Sequence, residues 1–283
     1  MAFFCVMDGH GRGGELISEF CMTNLPPILL AHPGLSDPVN PDYPNALKDS
    51  VLKVDGDLRK KLGREATYAG TTMILVLAVN DMLFIANCGD SRAVIGTVPN
   101  ADFKTVVAKD LSHDHKPDSP LEMKRVHSMG GFVSPESEES GPARVWLGRA
   151  MNSCGLAMAR SLGDHALAAV GVIAEPEITT HQLGPHDRYL ILGSDGIWEF
   201  ITSQMACDLV NTMVLRHGSD GNAPDRACRS LIEKSSILWK TNEGDYRDDI
   251  TGIVITLPLF GDDVSWSTLT QSEKKRWIGT QIP

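Results

Sequence analysis

Met73-Ile74-Leu75-Val76-Leu77-Ala78-Val79, Asn80-Asp81, Met82-Leu83-Phe84-Ile85-Ala86: two apolar runs are joined by two residues that favour turns. The spacing predicts a β-hairpin, because a two-residue turn is the commonest link between antiparallel strands. Both arms are apolar nearly throughout instead of alternating, so both faces of the ribbon are expected to be buried. Upstream, Leu47, Val51, Val54, Leu58 and Leu62 recur at three to four residues as far as Gly63, the pattern of an amphipathic helix. An earlier helix is expected from Gly13 towards Leu30, carried by Leu16, Ile17 and Phe20 and ended near Pro26-Pro27. A proline-rich loop then runs from Pro33 to Pro44.

Downstream, Ser91 to Thr97 and Lys104 to Ala108 read as short strands, and Pro120 to Met129 as a short helix closed by Gly130-Gly131. Residues 134–155, which include Ser134-Pro135-Glu136-Ser137-Glu138-Glu139-Ser140-Gly141-Pro142, read as a mobile polar surface loop. A strand resumes at Tyr189 to Gly193. Helices are expected from Ser203, as N-cap, to about His217, and over roughly Ala223 to Trp239. Ile250 to Leu257 closes as a β-branched strand. Strands and helices come in pairs and not in strict alternation, which favours an α+β sandwich of antiparallel sheets over a doubly wound parallel sheet.

Acidic residues outnumber basic ones, 36 against 26 in 283 residues, for a formal charge of −10. That balance argues against nonspecific nucleic-acid or anionic-membrane binding. Six cysteines are scattered without a C-x-x-C pair, so neither a zinc site nor a disulfide framework is expected. The longest apolar region is broken at Asn80-Asp81, and the first residues lack the basic region of a signal peptide. A monomer in the cytosol or nucleus is expected, with no nucleic-acid or membrane partner.

The chemistry is concentrated at three acidic turns. Phe3-Phe4-Cys5-Val6-Met7 leads as a buried strand into Asp8-Gly9-His10-Gly11, and Ser194-Asp195-Gly196 and Asp248-Asp249-Ile250-Thr251 follow far downstream. Three separated carboxylates at strand ends suit an oxygen-liganded divalent cation.

These turns belong to nine blocks that occur in one order. They begin with Val6-Met7-Asp8-Gly9-His10-Gly11, Ala69-Gly70-Thr71-Thr72, Ala86-Asn87-Cys88-Gly89-Asp90-Ser91-Arg92-Ala93, Asp114-His115-Lys116-Pro117 and Gly130-Gly131. They continue with Leu156-Ala157-Met158-Ala159-Arg160-Ser161-Leu162-Gly163-Asp164, Ala174-Glu175-Pro176-Glu177-Ile178, Ile191-Leu192-Gly193-Ser194-Asp195-Gly196-Ile197-Trp198 and Asp248-Asp249-Ile250-Thr251. The set, from residue 2 to about 257, resembles the metal-dependent Ser/Thr protein phosphatases of the type 2C class. One Asp-Gly alone is usually just a turn; nine blocks in order carry the resemblance.

The resemblance implies a central pair of antiparallel sheets with helices packed on both outer faces. Residues 1–260 would form a catalytic domain and 261–283 a peripheral tail. It also implies two Mg²⁺ or Mn²⁺ ions, with phosphoproteins as substrates. Asp8 would bridge both ions, the Gly9 carbonyl would help hold one, and Asp195 and Asp248 would ligate the other. A water activated by the cations would attack the phosphoester, and His10 would protonate the departing oxygen. Asp114 matches a third, weaker metal position, with Glu199 in place of the family's Asp as its partner. Arg160 is a candidate substrate contact, with a structural salt bridge as the competing reading.

Other residues receive plainer readings. Asp90 and Asp164 are read as buttressing loops or pairing with Arg92 and Arg160. His113 and His115 are read as loop histidines, and Trp198 as core. Asp249 stands where the family usually has Asn, and either adds charge at the site or faces solvent. The resemblance further implies one or two strands ahead of the Asp-Gly-His-Gly block, bearing an Arg for the phosphate and a Glu for the second metal. The chain as given starts beyond them, so an N-terminally short domain is expected. Two alternatives follow: a non-catalytic pseudophosphatase that binds phosphoproteins or regulates a partner, and a metallohydrolase of small phosphate esters. Residues 134–155 are where substrate selection is expected.

Overall fold

In the computed structural model, β1 (Ala2–Val6) leads through the two-residue β2 (Gly9–His10) into α1 (Gly14–Leu30), α2 (Pro33–Ser36) and α3 (Tyr43–Leu62). Next come β3 (Gly70–Thr71), β4 (Met73–Val79), β5 (Met82–Cys88), β6 (Arg92–Thr97), β7 (Val107–Asp110) and α4 (Pro120–Ser128). Four short or edge elements follow: β8 (Phe132–Ser134), β9 (Arg144–Trp146), β10 (Leu162–Gly163) and β11 (Glu177–Gln182). The chain closes with β12 (Asp187–Gly193), α5 (Asp195–Trp198), α6 (Ser203–His217), α7 (Ala223–Glu243) and β13 (Gly252–Thr256). The described residues are 1–37, 39–99, 105–137, 141–151, 154–217 and 222–257.

Two four-stranded sheets dominate, ordered β1-β4-β5-β11 and β13-β12-β6-β7, with every neighbouring pair antiparallel. The hairpin forms as the sequence predicts, with Met73 opposite Cys88 and Val79 opposite Met82. Its turn residue Asn80 takes a left-handed conformation (φ 52°). The strand period of two divides the apolar runs between two cores. Ile74, Val76, Leu83 and Ile85 face Ile95, Leu190, Leu192, Ile253 and Ile255 across the sandwich. Met73, Leu75 and Leu77 point the other way, against Ile17, Leu25, Val51 and Leu58 of α1 and α3. On the opposite flank, Val94, Ile191 and Val254 pack on Trp198, Val210 and Leu231 of α5, α6 and α7. Helices therefore cover both outer faces, and the hairpin is apolar throughout because both of its faces are core.

The structure corrects several sequence readings. The first helix runs through Pro26 and Pro27 to Leu30 instead of ending at them. Leu25 and Leu29 are buried on the core that α1 shares with α3. Their burial offsets a cost of about 3 kcal/mol for an interior proline. The N-cap of α6 is Thr202 and not Ser203: Thr202 Oγ1 accepts the Met205 N–H at 3.2 Å, while Ser203 Oγ bonds Asp110 Oδ1 at 2.5 Å. The reading of 134–155 as a polar surface loop fails in part, because β9 pairs with β8 and Val145 is fully buried among Val126, Val133 and Leu156. Residues 138–140 and 152–153 of that segment, Lys104, and the tail 261–283 lie outside the described residues. Strand β11 went unread because Glu177-Ile178-Thr179-Thr180-His181-Gln182 is mostly polar and only partly buried.

Candidate metal centre

Asp8 sits in the short connection between β1 and β2, at one end of the first sheet. Its backbone is held from both sides: Thr72 N–H donates to the Asp8 carbonyl at 2.9 Å, and Thr72 Oγ1 accepts the Asp8 N–H at 3.1 Å. The same hydroxyl bonds Ser91 Oγ at 2.6 Å. Asp195 opens α5 just after β12, and Asp248 stands shortly before β13, the strand that pairs with β12. Ser194 ties these two segments together. Its N–H donates to the Thr251 carbonyl at 3.0 Å, and its Oγ accepts the Thr251 N–H and donates to the Asp249 carbonyl, both at 3.1 Å. The approach is so close that a Cβ on Gly196 would lie 2.2 Å from the Asp249 oxygen. Carboxylate oxygens of Asp8, Asp195 and Asp248 consequently gather within 4.8 Å of one another. One comes from the first sheet, two from the second.

The cluster is electrostatically unfavourable without a counter-charge. Burial, then the Asp195 and Asp248 charges, push the Asp8 carboxyl well above the ordinary range. Burial, then Asp90 and Asp248, push Asp195 up as well. Asp248 rises for the same first reason; the hydrogen bond from the Asp249 N–H opposes the rise, and the Asp249 and Asp90 charges add to it. Asp8 and Asp195 also hydrogen-bond through their side chains, so this pair retains a proton unless positive charge is supplied. An all-oxygen anionic donor set of this kind fits a hard divalent cation.

His10 enters through a separate three-stranded sheet, β10-β3-β2, in which His10 lies opposite Gly70 and Gly70 opposite Gly163. Across that narrow sheet His10 Nε2 meets Asp164 Oδ2 at 2.6 Å. Asp164 has a left-handed backbone (φ 46°) and accepts a further bond from Ser161 Oγ at 2.7 Å. Gly70 must be glycine, since a Cβ there would lie 2.2 Å from the same Asp164 oxygen. Burial by itself would lower the imidazole pKa, but the Asp164 hydrogen bond and charge raise it overall. His10 Nδ1 is buried and has no partner among the described residues.

Other predicted site residues lie elsewhere or are already engaged. Asp114 forms a bidentate pair with Arg92, at 3.0 Å to Nε and 2.7 Å to Nη2, and Glu199 is exposed. Arg160 is bound by Glu122, with contacts at 2.7, 3.1 and 3.2 Å. The pairings expected for Asp90 and Asp164 are corrected: Asp90 takes Lys116 at 2.7 Å instead of Arg92, and Asp164 takes His10 instead of Arg160. Asp249 faces solvent, and its N–H donates to Asp248 Oδ1 at 2.8 Å. His113 is exposed, while His115 is buried and accepts the Gly89 N–H through Nδ1 at 3.1 Å. Trp198 is core, as read. Sequence reading missed Glu122 because Glu122-x-x-Arg125 on a short helix looks like a solvent-facing pair.

The family model for protein phosphatase 2C matches residues 1–236. Over 231 residues the chain is 36% identical to probable protein phosphatase 2C 61 of Arabidopsis thaliana, covering 81% of this chain and 69% of that one. Probable protein phosphatase 2C 35 of the same plant is 33% identical over 279 residues, 92% of this chain and 75% of the relative. Among solved structures, the serine-threonine phosphatase 2C from Toxoplasma gondii superposes with a TM-score of 0.74 at 21% identity, covering 90% of this chain and 84% of that one. A C. elegans sex determining protein gives 0.71 at 20% identity, over 90% and 56% of the two chains. At these identities the structural matches speak for the fold alone.

Proposed function

The chain belongs to the protein phosphatase 2C family and is a protein serine/threonine phosphatase; from that premise we propose that its chemistry takes place at the Asp8–Asp195–Asp248 cluster and depends on divalent cations. The observation that carries the reading is the convergence of three carboxylates from both sheets within 4.8 Å, each with its ionised form disfavoured first by burial and then by neighbouring carboxylates.

Asp8, Asp195 and Asp248, with the Gly9 carbonyl, would hold Mg²⁺ or Mn²⁺. Bound there, the cations supply a water of lowered pKa and neutralise charge on the phosphoryl oxygens. The protein supplies position. The Thr72–Ser91 hydroxyl pair fixes Asp8, and the Ser194–Thr251 ladder fixes the other two carboxylates. His10 is the proton donor to the departing serine or threonine oxygen. Asp164 engages Nε2 and, by its hydrogen bond and charge, keeps the imidazole oriented and favours its protonated form. The ionised Asp164 balances the imidazolium charge before the proton leaves. A third cation at Asp114 and Glu199 would have to compete with Arg92 for Asp114.

The test is hydrolysis of a phosphothreonine peptide with Mn²⁺, with Asp195→Ala as control and a sugar phosphate as competing substrate. EDTA-sensitive turnover of the peptide, lost in the variant, is expected. Folded protein without turnover would replace this reading with a binding role, and preference for the sugar phosphate would replace it with a small-ester hydrolase.

A further inference from the structure

Among the described residues, donor accounting for Arg160, Arg92 and Lys116 sets one of the three apart. Arg160 commits Nε and Nη2 to Glu122 and Nη1 to the Glu175 carbonyl. Arg92 commits Nε and Nη2 to Asp114 and Nη1 to Ser203 Oγ. Lys116 differs. Its ammonium carries three N–H groups, and among the described residues a single hydrogen bond engages it, to Asp90 Oδ2 at 2.7 Å. The pair is lopsided: the Asp90 side chain is 2% exposed and that of Lys116 37%. An ion pair serving only the interior would bury both ends. Here the acid is anchored and the base reaches out.

The placement is rigidly built. The Lys116 loop is stitched to the Asp90 loop by His115 N–H to the Gly89 carbonyl at 3.0 Å and by Gly89 N–H to His115 Nδ1 at 3.1 Å. Asn87 Nδ2 donates to the Gly89 and His113 carbonyls, tying both loops again. Next to Asp90, Ser91 bonds the same Thr72 hydroxyl that receives the Asp8 N–H. The Lys116 charge also acts directly on Asp195.

We propose that Lys116 contacts the phosphoryl oxygens of the phosphorylated side chain, and of inorganic phosphate after cleavage, with Asp90 holding the ammonium in place. The proposal rests on the phosphatase reading above. A phosphate dianion approaching a cluster of carboxylates meets repulsion that cations must overcome, and a lysine is a point charge with rotatable donors suited to that task.

The experiment is calorimetric titration of inorganic phosphate into the Mg²⁺-loaded full chain, comparing wild type with Lys116→Met and Lys116→Arg, alongside Mg²⁺ titration of each metal-free protein. This reads the contact whether or not the chain turns substrate over, so it is separable from failure of the phosphatase reading. Lys116→Met is expected to weaken phosphate about tenfold, as loss of one charge-assisted hydrogen bond does. Lys116→Arg should recover most of that loss, and Mg²⁺ affinity should hold or rise. Unchanged phosphate affinity in Lys116→Met would overturn the proposal. A parallel loss of Mg²⁺ affinity would overturn it too, by making Lys116 a prop for the cluster.

Discussion

His10 Nε2 lies 2.6 Å from Asp164 Oδ2, a contact between residues 154 positions apart in the chain. It exists because Gly70, between them in the small sheet, has no side chain to block it. If His10 gives its proton to the leaving oxygen, Asp164→Asn should slow phosphopeptide turnover by about tenfold to a hundredfold. p-Nitrophenyl phosphate should be affected much less, because nitrophenolate departs without a proton. Gly70→Ala should act in the same direction by forcing Asp164 aside. Equal losses on both substrates would remove His10 from the role of acid.

A second consequence concerns the metal-free protein. The Asp248 charge helps to destabilise the ionised forms of Asp8 and Asp195, so neutralising it should relieve the fold even as it disables the site. Asp248→Asn is expected to raise the melting temperature in EDTA, by a gain of about 1 kcal/mol. The rise in melting temperature that Mn²⁺ gives the wild type should shrink or vanish in this variant. A thermal shift series in EDTA and Mn²⁺ measures both. A lower melting point in EDTA would show that the carboxylates are held by something other than mutual proximity.

The parts of the fold legible in the sequence are those written in local apolar pattern. Met73 to Cys88 announced a ribbon buried on both faces, and Leu47 to Leu62 a helix with one buried stripe. The carboxylates of the cluster were legible for a similar reason: each follows or precedes a strand, and strand ends of a sandwich meet at common edges. Partnerships across the chain were not. Nothing near Asp164 names His10, and nothing near Arg160 names Glu122, because the first pair is joined through a glycine gap and the second through a helix that lands on the 159–175 segment. Pro26 and Pro27 misled because their local cost is visible, whereas the tertiary burial of Leu25 and Leu29 that overrides it is not.

Glu122 supports the last prediction, on stability against pH. Its carboxylate is buried on α4 between Arg125 at 2.6 Å and Arg160 at 2.7 Å. Burial opposes its ionisation, but hydrogen bonds and charge from Arg160 and Arg125 prevail and hold it at about 2, against an ordinary 4.5. The folded pKa is depressed, so the stabilisation is complete above the unfolded value and is lost as pH falls through the interval between them. At neutral pH the difference is worth about 3 kcal/mol. Arg125 also bonds the Ala159 and Gly171 carbonyls, and Arg160 the Glu175 carbonyl, so Glu122 anchors the whole segment behind the Leu156 to Asp164 block. Glu122→Gln leaves two arginines largely buried without their counter-charge and should cost about 3–5 kcal/mol at pH 7. The deficit should narrow as pH falls from 4.5 towards 2, where the wild type loses the same charge. Urea unfolding of both proteins at pH 7, 4.5 and 3 measures it. A deficit that stays constant down to pH 3 would mean the Glu122 charge contributes nothing and that the side chain matters only for its shape.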